Sequence, residues 1–215
     1  MGAALAGSDR PLIVTTGAAG LAAPGQIATE DMDLSPGYRF PRVSEQTALS
    51  LTGVSVSVMR LPQVHDTLKQ GLVSYLIAVA REKGVSAYVG DGRNRWSAAH
   101  VLDVARLYRL VLEKNEAGSK YHAIGEEGIP MRDIAEALGR GLKIPVKSIS
   151  ADEAQSHFGW LAMFAASDLQ ASSAKTRKKL GWNPTGPGLI ADLEQMRYHQ
   201  TETDVASTAP VRAAR

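Results

Sequence analysis

Tyr88-Val-Gly-Asp-Gly-Arg-Asn-Arg-Trp-Ser-Ala-Ala-His100-Val-Leu-Asp103-Val-Ala105 decides the fold, because it joins a short strand, a glycine turn and a capped amphipathic helix in one run. Val85 to Val89 reads as strand, and Gly90-Asp-Gly92 reads as a tight turn. Val101, Val104, Leu107, Tyr108 and Val111 then share one helical stripe. His100 precedes that helix, and Asp103 sits in its first turn, where a carboxylate meets the positive end of the helix dipole.

The same alternation extends in both directions. Leu12 to Thr16 is an apolar, β-branched run that Gly17 ends, and residues 18–40, rich in Gly, Pro and acidic side chains, read as a long loop. Pro41 suits a first helical turn, and the helix runs from Ser44 to Thr52 until Gly53. Val54 to Arg60 alternates at period two and stops at Leu61-Pro62. Leu72, Leu76, Ile77 and Ala80 place a helix over 68–83, with Gly84 as its stop. A short strand follows at Tyr121 to Ile124. Met131, Ile134, Ala135 and Leu138 share a helical face that ends over Gly139 to Lys143. Ser150-Ala-Asp-Glu153 is a capping box, and Gly181 caps a helix through Lys175 to Leu180. Strands alternating with helices predict an α/β protein with a parallel sheet and a smaller, helix-rich C-terminal lobe. Residues 201–215 are small and polar without periodicity, which predicts a disordered tail.

Composition narrows the function classes. The 215 residues are 44% hydrophobic and 21% charged, ordinary for a globular protein. A net charge of +2 with dispersed basic residues argues against nucleic acid as a partner. The absence of cysteine excludes disulfides and thiolate metal sites and fits a reducing, cytoplasmic setting. His65, His122, His157 and His199 share no metal-ligand spacing, so no metal is expected. No apolar run approaches the roughly 18 residues of a membrane helix, and the N-terminus lacks the basic region of a signal peptide. No membrane partner is expected.

The quoted segment resembles the "YGDG…HVDDVA" stretch of extended short-chain dehydrogenase/reductases, the NAD-dependent epimerase/dehydratase family. Arg95-Trp96, His100, Asp103 and Leu107-Tyr-Arg109 are most similar to an atypical subgroup that has lost the usual catalytic tyrosine. The similarity spans residues 5–197 in family order, through Arg60-Leu-Pro62, Tyr88 to Gly92, His100 to Asp103 and Leu180-Gly-Trp-Asn-Pro184. It implies a Rossmann-like NAD(P)-binding part over 1–125, a substrate lobe over 126–200, and a contribution of 62–100 to that lobe. Complete members open with a strand and a glycine-rich turn that binds the pyrophosphate. Thr16-Gly-Ala-Ala-Gly20 lacks the third glycine, and Pro24 stands where the following helix should run. The resemblance therefore places this chain as a family protein truncated on its N-terminal side.

Family chemistry uses a Ser/Thr, a Tyr and a Lys four residues after the Tyr, the lysine lowering the phenol pKa while hydride moves. Matched to this sequence, Gly17 replaces the serine, Pro41 the tyrosine and Glu45 the lysine. Thr15 and Thr16 are the nearest hydroxyls, and Tyr38 with Arg42 forms a Tyr-x-x-x-Arg, so Thr15, Thr16 and Tyr38 are the catalytic candidates. Gly17, Leu61, Pro62 and Val64 are the cofactor-binding candidates, and Tyr88, Arg95, Trp96 and His100 the substrate-binding ones. Packing between lobes is the alternative for Trp96, and the helix dipole alone accounts for Asp103. The resemblance implies NAD or NADP for the complete protein, with none for this chain alone as the alternative. It also implies oxidoreductase or epimerase/dehydratase-like action on a small carbonyl, alcohol or sugar-like substrate. The other readings are a non-catalytic binding or regulatory member, or a truncated chain inactive on its own. The uncovered edge of a truncated sheet predicts a homo-oligomer.

Overall fold

The computed structural model describes residues 2–23, 25–33 and 43–198. From the N-terminus the elements are α1 (Gly2–Leu5), β1 (Pro11–Gly17), α2 (Ser44–Leu49), β2 (Ser55–Leu61), β3 (Gln63–His65), α3 (Leu72–Lys83), β4 (Ser86–Val89), β5 (Arg95–His100) and α4 (Val101–Lys114). There follow β6 (Lys120–His122), β7 (Glu126–Pro130), α5 (Met131–Leu142), β8 (Val146–Ile149), α6 (Ala151–Phe158), α7 (Ala162–Ala165), α8 (Ala174–Leu180) and α9 (Leu189–Gln195).

The two β-branched runs pair parallel, from Pro11 opposite Ser55 to Gly17 opposite Leu61, and β6 takes the other edge of β2. Successive side chains of a strand face opposite ways. Met59 accordingly packs with Val104, Leu107 and Val111 of α4, whereas Arg60 turns to Glu45 of α2. Pro62 ends β2, and the chain passes at once into β3 of a second sheet, in which β3 runs parallel to β5 and β5 antiparallel to β7. A third sheet pairs β4 with β8. The largest core lies in the lobe, where Val73, Leu76 and Ile77 of α3 meet Ile134 and Leu138 of α5, Leu189 and Leu193 of α9, and Trp96.

Several sequence expectations shift. The first helix past the second strand begins at Leu72 instead of 68, because the Asp66 carboxylate accepts the amides of Leu68 and Lys69 and closes a turn there. Helix α5 ends at Leu142, inside the expected Gly139 to Lys143 stretch, where a side chain at Gly139 or Gly141 would collide with Val146 or the Tyr198 ring. The short strands β3, β5, β7 and β8 were not expected from periodicity. Asp103 does more than meet a helix dipole. Buried, it accepts the amides of Thr185 (3.0 Å) and Gly186 (2.8 Å), while Trp182 donates its indole N–H to the Asp103 carbonyl at 3.0 Å. The Leu180 to Pro184 segment is thereby pinned to the start of α4. The capping box at Ser150 and the left-handed cap at Gly181 form as expected.

Candidate functional site

Parallel strands end at a common rim, and ligands of open α/β sheets collect there. In this chain the rim opens into a cavity of about 620 Å³ where the first sheet gives way to the second. Gly17, Ala19, Leu61, Pro62, Gln63 and Val64 form the strand-end wall; Gly71, Leu72, Tyr75, Trp96, Ser97, Trp160, Phe164 and Leu169 form the lobe wall. Trp96 is buried and fixed by its indole N–H donating to the Phe164 carbonyl at 3.1 Å. Trp160 meets Tyr75 edge to face at 5.2 Å and Phe164 at 6.2 Å.

Of the sequence-derived candidates, Gly17, Leu61, Pro62, Val64 and Trp96 come together on this cavity. Of the other described candidates, none lines it. Thr15 shares a 2.5 Å hydrogen bond with the Tyr108 hydroxyl on the α4 face, and burial pushes that phenol up. Thr16 is half-buried beside Arg60 in the strand register. Tyr38 lies outside the described residues. Tyr88 has the Arg132 guanidinium over its ring at 5.9 Å. Arg95 holds Asp168, its amide donating at 2.7 Å and its Nε lying 3.7 Å from the same carboxylate oxygen. His100 caps α4, its Nδ1 accepting the Leu102 amide at 3.3 Å.

Two buried polar clusters flank the cavity region, and both escape sequence reading. Asp192 of α9 accepts from His65 Nδ1 at 2.7 Å, and His100 Nε2 stands 3.9 Å from the same oxygen. Burial pulls the His65 pKa below its ordinary value against the pull of Asp192, and Nε2 has no hydrogen-bond partner, the Glu126 carboxylate lying 4.0 Å away. On the α2 face, Arg60 is fully buried and donates to Glu45 through Nη2 (2.5 Å) and Nε (3.1 Å). Its Nη1 donates to the Glu30 carbonyl at 3.2 Å and lies 3.3 Å from His122 Nε2. His122 donates from Nδ1 to the Ser172 carbonyl at 2.8 Å, and burial lowers its pKa. Glu45, at the position matched to the family's lysine, is thus the counter-ion of a buried guanidinium.

The strand-end residues Gly17, Ala19, Leu61, Pro62 and Val64 offer an apolar shelf on the cavity. Among the described residues, no helix follows β1 before α2, so none of them supplies the helix terminus on which a pyrophosphate would sit. No described helix is long and apolar enough to cross a membrane, and no group of described residues could hold a metal ion.

The family model described as NAD dependent epimerase/dehydratase family matches residues 42–125. An uncharacterized protein of Schizosaccharomyces pombe is 45% identical over 202 residues, covering 92% of this chain and 68% of the relative. An uncharacterized protein of Saccharomyces cerevisiae is 45% identical over 193 residues, covering 88% of this chain and 64% of its own length. Among solved structures, dTDP-glucose 4,6-dehydratase DesIV of Streptomyces venezuelae, with NAD bound, superposes with a TM-score of 0.66 at 19% identity. That match covers 86% of this chain and 59% of DesIV. The human epimerase family protein SDR39U1 with NADPH gives 0.65 at 19% identity over 90% of this chain and 67% of its own. The chain therefore spans roughly two thirds of its curated relatives and less of DesIV, and the solved structures establish its fold.

Proposed function

This chain belongs to the NAD dependent epimerase/dehydratase family, among its atypical extended short-chain dehydrogenase/reductases, and from that premise we propose that it carries the substrate-binding face of an NAD(P)-linked oxidoreductase or epimerase/dehydratase. The substrate is a small carbonyl, alcohol or sugar-like molecule. One observation carries this reading: strand-end residues and lobe residues converge on a single 620 Å³ cavity, a volume ordinary for small-ligand sites. A nicotinamide, when bound, gives or accepts hydride. The chain's own residues orient the substrate against the shelf of Leu61 and Pro62 and exclude water through the aromatic wall. Proton transfer does not come from the usual helix position, where Glu45 is committed to Arg60.

Calorimetric titration with a panel of small carbonyls and alcohols, with and without NAD(P)H, tests the reading. Leu72→Trp, which fills the cavity from its rim, should abolish binding, and the nucleotide should strengthen binding to the unmodified chain. Unchanged affinity in Leu72→Trp would put the substrate elsewhere. A second reading, a non-catalytic binding member, draws on the Glu45–Arg60 pair. It keeps ligand binding but gives no hydride transfer with either nucleotide.

A further inference from the structure

The chemistry of the cavity wall is one-sided. None of its described lining residues is Asp, Glu, Lys, Arg or His. The cations adjacent in sequence to this wall, Arg60 and Arg95, are outside the lining and engaged with Glu45 and Asp168. Gln63 contributes little polarity, because its amide is occupied: Oε1 accepts the Leu72 amide at 2.9 Å, and Nε2 donates to the carbonyls of Gln70 and Val64. Two hydroxyls remain, those of Ser97 and Tyr75, neither of which has a hydrogen-bond partner among the described residues. Ser97 also sits at a break in its sheet. Trp96 pairs with Ile129 and Ala98 with Glu126, so Glu127 and Gly128 together oppose Ser97, and such bulges re-aim side chains beside binding sites. At the rim, Tyr75 and Trp160 remain 53% and 56% exposed although both are large and ring-stacked. Exposed aromatics around an apolar hollow mark a place where a ligand supplies the missing contact.

We infer that this cavity, taken as the substrate site proposed above, selects an uncharged, planar ring compound with one hydroxyl or carbonyl, and rejects phosphorylated compounds, nucleotide sugars included. A ring gains edge and face contacts with Trp160, Tyr75 and Trp96, and its single polar group is met by the hydroxyl of Ser97. A phosphate loses its hydration on entry and finds no cation among the described lining residues to replace it.

Ligand-observed NMR titration of the full chain tests this with four probes: 2-naphthol, 2-methylnaphthalene, 2-naphthyl phosphate and thymidine diphosphate. The 2-naphthol is expected to bind at least about tenfold more tightly than either phosphate. Trp160→Ala, at an exposed position that leaves the fold intact, should weaken both uncharged probes by about tenfold. Ser97→Ala should weaken 2-naphthol by roughly three- to tenfold, the worth of one neutral hydrogen bond, and leave 2-methylnaphthalene unchanged. A merely structural serine would move both probes alike, which overturns the assignment of Ser97. Phosphates that bind as tightly as 2-naphthol, and lose that binding in Trp160→Ala, overturn the ligand class while the cavity stands as the site. If no probe responds to Trp160→Ala, the inference fails together with the site itself.

Discussion

The strand layer and the lobe close their cores to different degrees. Leu12, Ile13 and Val14 of β1 are only partly buried, and among the described residues the edge of β1 away from β2 has no strand partner. In the lobe, Val73, Ile134, Leu189 and Leu193 are wholly withdrawn from solvent. The lobe thus closes its core, whereas β1 leaves one edge of the strand layer without a described partner, with the cavity on the seam. The lobe can act as a rigid wall for a ligand, while the strand layer offers an edge that a further strand would complete.

The largest expected effect tests that contrast directly. Trp96→Ala, which hollows the lobe core and frees the Phe164 carbonyl, should cost about 3–5 kcal/mol in denaturant melts. Ile13→Ala in β1 should cost less than about half of that, because the side chain is already half in water. Equal losses would erase the difference between the two regions. Next comes the polar anchor of the strand layer: Glu45→Ala strips a fully buried guanidinium of its counter-ion, and about 3 kcal/mol of stability should go with it. A change under about 1 kcal/mol would mean that the Glu30 carbonyl, His122 and the Asp33 carboxylate 3.8 Å away suffice to hold Arg60.

A smaller effect should appear with pH. His65 and His122 both have pKa values held below the ordinary 6.5 by burial. Unfolded chains therefore take up protons below pH 6.5 that the folded chain refuses, so stability is complete above that value and declines as pH falls beneath it. Melting temperature followed from pH 7 to 5 should drop, and His65→Gln should flatten the slope while lowering the plateau through loss of the Asp192 bond. A wild-type melting temperature independent of pH over this range would break the argument. The smallest effect is expected at Arg95, whose side chain is 42% exposed and outside the cavity lining. Arg95→Ala should change stability by less than about 0.5 kcal/mol and ligand affinity by less than about twofold. A large loss of affinity would restore Arg95 as a fixed charge of the site.

Much of this architecture is readable where a pattern is long. Val54 to Arg60 alternates for seven residues, and α3, α4 and α8 carry both a periodic face and a terminal Gly84, His100 or Gly181. The strand Arg95–His100 carries no such mark, since Trp-Ser-Ala-Ala-His has no β-branched residue; β3 and β7 on its flanks impose its extended form. The cavity was half legible for the same reason. Gly17, Leu61, Pro62 and Val64 follow from knowing where strands end, whereas Tyr75, Trp160 and Phe164 arrive from separate helical turns whose local sequence says nothing of a shared wall. His65 and Asp192 lie 127 positions apart and meet only because α9 returns to the second sheet. The reading of Asp103 failed in another way: a helix-start carboxylate has a sufficient local explanation, and that explanation hid its partners at Thr185 and Gly186.

The buried Glu45–Arg60 pair also bears on heredity. A single change of Glu45 to the family's lysine would set a second cation against a guanidinium shielded from solvent, and a single change at Arg60 would leave Glu45 only the more distant Lys120, 3.9 Å away. The two positions are coupled, so each forbids the other's first step. Placing the family's tyrosine and lysine at Pro41 and Glu45 would therefore also require a change at Arg60, so the buried pair sets the order in which substitutions here are tolerated.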